Sequence, residues 1–238
     1  MARRVDFRQL EGRVSFYLLR HGESEGNREA VMQGRNPSRL TPRGREQARE
    51  AGLWFRGRGL DCVLSSPLER ALGTAEAVAE AAGLDRTEIA EELTEIDIGI
   101  FTNMSLAQAR ENHPSQYALF MQQSWEAVEG AERIDTLYAR ASAAWKILIR
   151  KSAQGSLNIL AVTHSGFLQW MIRSTLGLKS WMPLFSASDN CCVSHLLVDN
   201  QPLGAAAGGG PLDGSGEGAH SYYASWMLVN APVILPSR

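Results

Sequence analysis

The chain is poor in cysteine, nearly neutral and without a long apolar run, and each shortage excludes a class of protein. Its three cysteines, Cys62 and the adjacent Cys191 and Cys192, make neither a disulfide framework nor a metal-ligand spacing. A reducing compartment, the cytoplasm, is therefore expected, and no metal site is. A formal charge of −2 over 238 residues leaves no broad cationic footprint, which counts against nucleic acid and anionic membranes as partners. No stretch approaches the roughly 18 apolar residues of a membrane span. Arg3, Arg4, Arg8 and Arg13 stand near the amino terminus without a long apolar segment between them, so no twin-arginine export signal is expected. The 44% of residues that are hydrophobic and the 21% that are charged suit one substantial core, and a single domain over residues 1–238 is expected.

Against that background, short apolar runs alternate with helical patterns. Strands are predicted over 14–20, 61–65 and 157–163, with a short extended piece near 88–91 and two further strands over about 191–198 and 222–229. Helices are predicted over about 41–57, 67–82, 105–112, 114–128, 131–153 and 166–176. Thr41 and Ser66 read as N-caps, with Pro42 and Pro67 at the first helical positions. Long helices between short apolar strands predict an α/β fold, its sheet covered on both faces. The segment 204–219, mostly Gly and Ala, has little to bury and reads as a mobile hairpin loop, with a lid as the alternative.

The chemistry gathers where three of these strands end. Val14 to Leu19 runs into Arg20-His21-Gly22-Glu23-Ser24, so His21 sits at the carboxyl end of a buried strand, where open α/β sheets collect ligands. An imidazole beside a guanidinium disfavours a cation and suits an anion, because Arg presents a planar fork of donors and neutral His a nucleophilic nitrogen. Leu157 to Thr163 runs into His164-Ser165-Gly166 in the same manner. Ser65-Ser66-Pro67 ends the strand at 61–65 and puts Arg70 one turn into the next helix. Leu93 to Gly99 places Glu95 in a non-helical segment. Taken singly, each has a plain structural account: Arg70 as an exposed helical arginine, His164 as a satisfied core histidine, Glu95 as one of many solvated carboxylates.

Jointly, Arg20-His21-Gly22-Glu23-Ser24 with Asn27, Leu40-Thr41 with Gly44, Ser65-Ser66-Pro67 with Arg70, Leu93 and Glu95 with Gly99, and Thr163-His164 resemble the histidine phosphatase superfamily. The resemblance is to the branch holding cofactor-dependent phosphoglycerate mutases, fructose-bisphosphatase domains and broad-specificity phosphatases, and it spans roughly residues 14 to 200. It implies a three-layer α/β/α sandwich with a mostly parallel central sheet, a helical cap insertion over about 96–131, and no cofactor. It implies that His21 is the nucleophile, that Arg20, Arg70 and His164 surround the phosphoryl oxygens, and that Glu95 protonates the leaving oxygen. Ser24, Asn27, Gln33, Gly34 and the backbone at Ser165 match positions that hold phosphate or substrate in relatives.

The sequence departs from the family where Phe101-Thr102-Asn103-Met104-Ser105 replaces a common Glu-Gly pair. The cap carries Asp97, Glu111, Glu126 and Glu129 against Arg110, a poor match to a second phosphate on the substrate. Tyr117, Phe120, Met121 and Trp125 read as ordinary helix packing, with a substrate pocket as the alternative. The expected activity is hydrolysis of a small phosphate monoester without a metal. The alternatives are a phosphoglycerate mutase and, in another class, a phosphate- or phosphopeptide-binding module that has lost turnover. Oligomeric state is not set by the sequence, and a homodimer is compatible with it.

Overall fold

The computed structural model describes residues 4–122, 124–153, 157–180, 189–200 and 223–233. In chain order these form β1 (Gly12–Arg20), α1 (Glu25–Arg28), α2 (Pro42–Arg56), β2 (Cys62–Ser65), α3 (Glu69–Ala82), β3 (Glu88–Ile89), α4 (Leu106–Asn112), α5 (Pro114–Gln122), α6 (Ile134–Ala153), β4 (Asn158–Thr163), α7 (Ser165–Leu176), β5 (Val193–Asn200) and β6 (Tyr223–Ala231). Short 3₁₀ turns lie at Glu91–Leu93, Gly99–Phe101 and Trp125–Ala127. The sheet order is β3-β2-β4-β1-β5-β6. The first four strands pair in parallel, and β5 and β6 extend the sheet antiparallel.

Alternation along the strands builds two cores from one sheet. Phe16, Leu18, Ile159 and Ala161 pack on one face with Leu137, Trp145, Leu148, Phe167 and Trp170 of α6 and α7. Tyr17, Leu19, Val63, Leu160 and Val162 pack on the other with Ala48, Ala51, Phe55, Ala71, Ala75 and Val78 of α2 and α3. Strands buried on both faces read as continuous apolar runs in sequence for this reason. The sandwich and its mostly parallel sheet are as expected.

Register then does the positioning. Arg20 pairs with Thr163 and Ser65 with Val162, so the three strands end side by side. One residue further on, His21 N–H donates to the Thr163 carbonyl and Ser66 N–H to the Val162 carbonyl. Groups more than 140 residues apart along the chain become neighbours because parallel ladders hold their ends level.

Several boundaries differ from expectation. Helix α3 begins at Glu69 after Leu68, which has no side-chain cap. Ser66 is not its N-cap: its hydroxyl accepts from Leu68 N–H at 3.3 Å and lies 2.8 Å from His164 Nε2. Helix α5 stops at Gln122, and Ser124 instead caps the 3₁₀ turn that follows, accepting from Glu126 N–H. Helix α6 starts at Ile134, since Ala131 is pinned in an isolated bridge to Ile98. The 204–219 segment lies outside the described residues. Over residues 96–131, the rings of Phe120 and Trp125 lie 4.4 Å apart, tilted by 37°, and pack with Phe101, Tyr117 and Val128. These aromatics are packing groups, while Met121 points outward.

The loop after β1 is clamped by the start of α2. Thr41 caps that helix, accepting from Gly44 N–H at 3.0 Å, and its own N–H donates to the Glu23 carbonyl. A Cβ on Gly44 would fall 2.0 Å from the Glu23 carbonyl oxygen, and one on Gly22 would fall 2.4 Å from the Gly44 carbonyl oxygen. Backbone touches backbone there, so no side chain can yield. Gly44→Ala is expected to destabilise the fold by about 1–3 kcal/mol, seen as a Tm loss of several degrees. Gly57→Ala, where an added Cβ meets nothing within 4 Å, is the control and leaves Tm close to that of the parent. An unchanged Tm for Gly44→Ala contradicts the clamp.

Candidate active site

His21 is buried, 3% exposed, and its Nδ1 lies 2.7 Å from the Gly22 carbonyl. A carbonyl only accepts, so the hydrogen is on Nδ1 and the lone pair on Nε2. Burial, then Arg70 and Arg20, hold this imidazole well below its usual pKa, which keeps it neutral. Its ring centroid is 5.1 Å from that of His164, which is fully buried. His164 is also held well below the usual range, by burial, Arg70, His21 and Arg20 in decreasing order among its main causes. The Ser66 hydroxyl accepts from Leu68 N–H and lies 2.8 Å from His164 Nε2. His164 Nδ1 is buried with no hydrogen-bond partner.

The two arginines are restrained differently. Arg70, 1% exposed, donates from Nη1 to the Asn36 carbonyl at 2.8 Å and from Nη2 to the Gly34 carbonyl at 2.7 Å. Its buried Nε has no partner. Burial pushes the Arg70 pKa down to about 10, opposed by Glu95 and assisted by Arg20, so the group stays charged at neutral pH. Arg20, at the end of β1, is lowered by burial, with the charge of Glu95 again opposing. Glu95 thus acts on both guanidiniums.

Glu95 comes to the rim through α7. Its Oε1 accepts from Phe167 N–H and Ile96 N–H, both at 2.9 Å, and its Oε2 from Gly166 N–H at 3.2 Å. These peptide donors belong largely to the first turn of the helix that His164 opens, where uncommitted N–H groups favour a carboxylate. Thr163 Oγ1 ties the same segment to β4 by donating to the Leu93 carbonyl at 2.6 Å.

Of the other sequence candidates, Ser24, Asn27 and Gln33 face one another: Ser24 Oγ is 3.0 Å from Asn27 Oδ1 and 2.9 Å from Gln33 Oε1. Gly34 serves through its carbonyl on Arg70, at φ +51°, and Ser165 opens α7 beside His164. Sequence reading missed Asn190, whose Nδ2 donates to the His21 carbonyl at 3.0 Å and to Asn27 Oδ1 at 3.1 Å. It missed Thr74, which accepts from Gly22 N–H and donates to the Arg70 carbonyl. No local pattern marks either one, because each acts from a different element on the backbone of a motif residue.

Two imidazoles and two guanidiniums therefore share one basin with a carboxylate at its rim. The model of the histidine phosphatase superfamily, branch 1, matches residues 16–204. The chain belongs to that superfamily. One similar protein, named "Probable phosphoglycerate mutase GpmB", from Salmonella paratyphi B, is 30% identical over 208 residues, covering 87% of this chain and 94% of its own. The α-ribazole phosphatase of Shigella flexneri has a similar structure, with TM-score 0.65 and 28% identity over 76% of this chain and 89% of its own. A mycobacterial glucosyl-3-phosphoglycerate phosphatase, solved with VO3, shares the fold at TM-score 0.71 and 22% identity, over 92% of this chain and 99% of that one. This histidine phosphatase superfamily member is accordingly a phosphatase- or mutase-type enzyme. No helix among the described residues is long and apolar enough to cross a membrane.

The depressed imidazoles give stability a pH dependence. In the unfolded chain both histidines take up a proton near pH 6.5, whereas in the folded chain they resist it, so acid favours unfolding. Without phosphate, stability should fall as pH drops below about 6.5, by up to about 1.4 kcal/mol per pH unit for each histidine still neutral when folded. Urea unfolding between pH 7 and 5 checks this. His164→Asn should flatten the slope, and a parent slope already flat contradicts the buried neutral pair.

Proposed function

We propose that this enzyme hydrolyses a small organic phosphate monoester in two steps through a phosphohistidine on His21. The observation carrying the proposal is the Nδ1–H bond to the Gly22 carbonyl, which leaves Nε2 as an uncharged nucleophile beside two guanidiniums. In the first step Glu95 takes up the proton of the bound ester monoanion, the His21 Nε2 lone pair attacks phosphorus, the bond from phosphorus to the ester oxygen breaks, and Glu95 passes that proton to the departing oxygen. Arg20, Arg70 and His164 Nδ1–H hold the three equatorial oxygens. In the second step Glu95 takes a proton from water as its oxygen attacks phosphorus, the P–N bond breaks, and inorganic phosphate leaves. The positive charge needed around the transferred group comes from the guanidiniums, so the reaction requires no metal. Asn190, Asn27, Ser24 and Gln33 keep the nucleophile's loop in place.

Hydrolysis is favoured over mutase chemistry by the acid segment Leu93 to Gly99 and by the charge of the cap, where carboxylates outnumber Arg110 and two neighbouring arginines are already paired. Arg35 pairs with Glu132, and Arg133 with Glu126. The likeness to an α-ribazole phosphatase supports the same reading. The likeness to a relative named as a phosphoglycerate mutase favours the second reading, in which His21 returns its phosphoryl group to another hydroxyl. A binding module without turnover would need the arginines but neither the nucleophile nor the acid.

With p-nitrophenyl phosphate and chelator present, the parent is expected to turn over, and His21→Ala to lose about 10³-fold or more of kcat/KM. Full activity in that variant contradicts the nucleophile. Efficient conversion of 3-phosphoglycerate to 2-phosphoglycerate with a bisphosphoglycerate primer would establish the mutase reading instead. Gly166→Ala offers a finer test, since its Cβ would fall 2.8 Å both from Glu95 Oε1 and from Cδ1 of the buried Ile96, displacing the carboxylate together with its chain neighbour. Activity on alkyl phosphates should drop about tenfold, more than that on p-nitrophenyl phosphate, and unchanged activity contradicts the placement of Glu95.

A further inference from the structure

The segment that carries Glu95 lies in no strand of the sheet, and its isolated bridge to Ala131 is at Ile98, three residues further on. Between the 3₁₀ turns at Glu91–Leu93 and Gly99–Phe101 its backbone is irregular, so its carbonyls must find donors elsewhere. One side chain supplies those around Glu95. Arg140, on α6, donates from Nη1 to the Thr94 carbonyl at 2.5 Å and the Glu92 carbonyl at 3.1 Å, and from Nη2 to the Glu95 carbonyl at 3.4 Å. Its Nε and Nη2 also form a fork on Glu132, at 3.0 and 2.7 Å, with the two side chains only 14% and 6% exposed. The guanidinium lies 4.0 Å over the ring of Phe167, the residue whose N–H donates to Glu95 Oε1.

A second arginine completes the arrangement. Arg35 donates to the Glu95 carbonyl at 3.2 Å and to Glu132 Oε2 at 2.8 Å. It stands between Gly34 and Asn36, whose carbonyls restrain Arg70. Glu132 thereby joins the loop that aims Arg70 to the loop that carries Glu95. Burying a carboxylate and a guanidinium costs desolvation that their attraction barely recovers, so such a pair is a weak device for stability alone. A planar, forked guanidinium does fix three carbonyls of one short segment and an aromatic face at once, which a lysine cannot.

We propose that Arg140, anchored by Glu132 and Arg35, is a positioning residue that sets where Glu95 meets the leaving oxygen. The inference rests on the assignment of proton transfer to Glu95 made above. Its signature is dependence on the leaving group. An alkyl ester such as β-glycerophosphate needs its departing oxygen protonated, whereas p-nitrophenolate leaves with little help, so a misplaced acid harms only the former.

For Arg140→Met, kcat/KM on β-glycerophosphate should fall about 10- to 100-fold, that on p-nitrophenyl phosphate less than about threefold, and inhibition by vanadate should be unchanged. Arg140→Lys, which keeps the charge but not the fork, should lie between. Glu95→Gln should show the same selectivity, and adding Arg140→Met to it should cost less than about twofold more, because the two changes remove one effect. Equal losses on both esters, or a loss that multiplies with that of Glu95→Gln, would overturn the positioning role while leaving the acid intact. No ester selectivity in Glu95→Gln would instead locate the failure in the acid assignment, and the positioning role would fall with it. If Arg140→Met does not fold, Arg35→Met leaves the Arg140–Glu132 pair in place and carries the same comparison.

Discussion

Four groups that can each carry positive charge, Arg20, His21, Arg70 and His164, are packed into one basin from which water is largely excluded, and the surrounding structure answers to that crowding. Charge out of water is costly, and like charges side by side are costlier, so the basin settles which groups stay cationic. The imidazoles yield, because their ordinary pKa lies nearest neutrality. The guanidiniums do not, and Arg70 is steadied by the carbonyls of Gly34 and Asn36. What remains is two fixed cations beside two neutral imidazoles, a set that a phosphate dianion complements. The same crowding that costs stability leaves His21 the lone pair that the proposed attack on phosphorus requires, since an imidazolium would have none to offer.

The carboxylate at the rim is governed by a separate set of contacts. Glu95 is gripped by peptide N–H groups at the start of α7, and its backbone by Arg140 and Arg35. Because α7 also opens with His164, Glu95 and the second imidazole share one helix start. The sheet ends supply one half of the site and the 91–98 segment the other. They meet at Thr163, whose hydroxyl reaches the Leu93 carbonyl.

Much of this was legible along the chain, and for identifiable reasons. Strands buried on both faces appear as uninterrupted apolar runs, so β1, β2 and β4 and the residues that end them stand out, and with them His21, Ser66 and His164. Thr41-Pro42 announced the start of α2 because a cap and an N1 proline act locally. Ser66 misled for the same reason: its local signal is that of a helix cap, but a histidine 98 residues away claims its hydroxyl. Asn190, Thr74, Arg140 and Glu132 were illegible, since each lies in an unremarkable polar context and works by reaching the backbone of another segment. The cap aromatics were read as packing groups, because their spacing is that of helices folding on one another.

The claim on which the account turns is that His21 is neutral, with its hydrogen on Nδ1 and Nε2 bare. Histidine ¹⁵N NMR of the free enzyme at neutral pH, with His21→Ala used to assign the signal, measures this directly. The account predicts a neutral ring with a protonated Nδ1 and an unprotonated Nε2. A His21 that is doubly protonated there, or that carries its single hydrogen on Nε2, would contradict it.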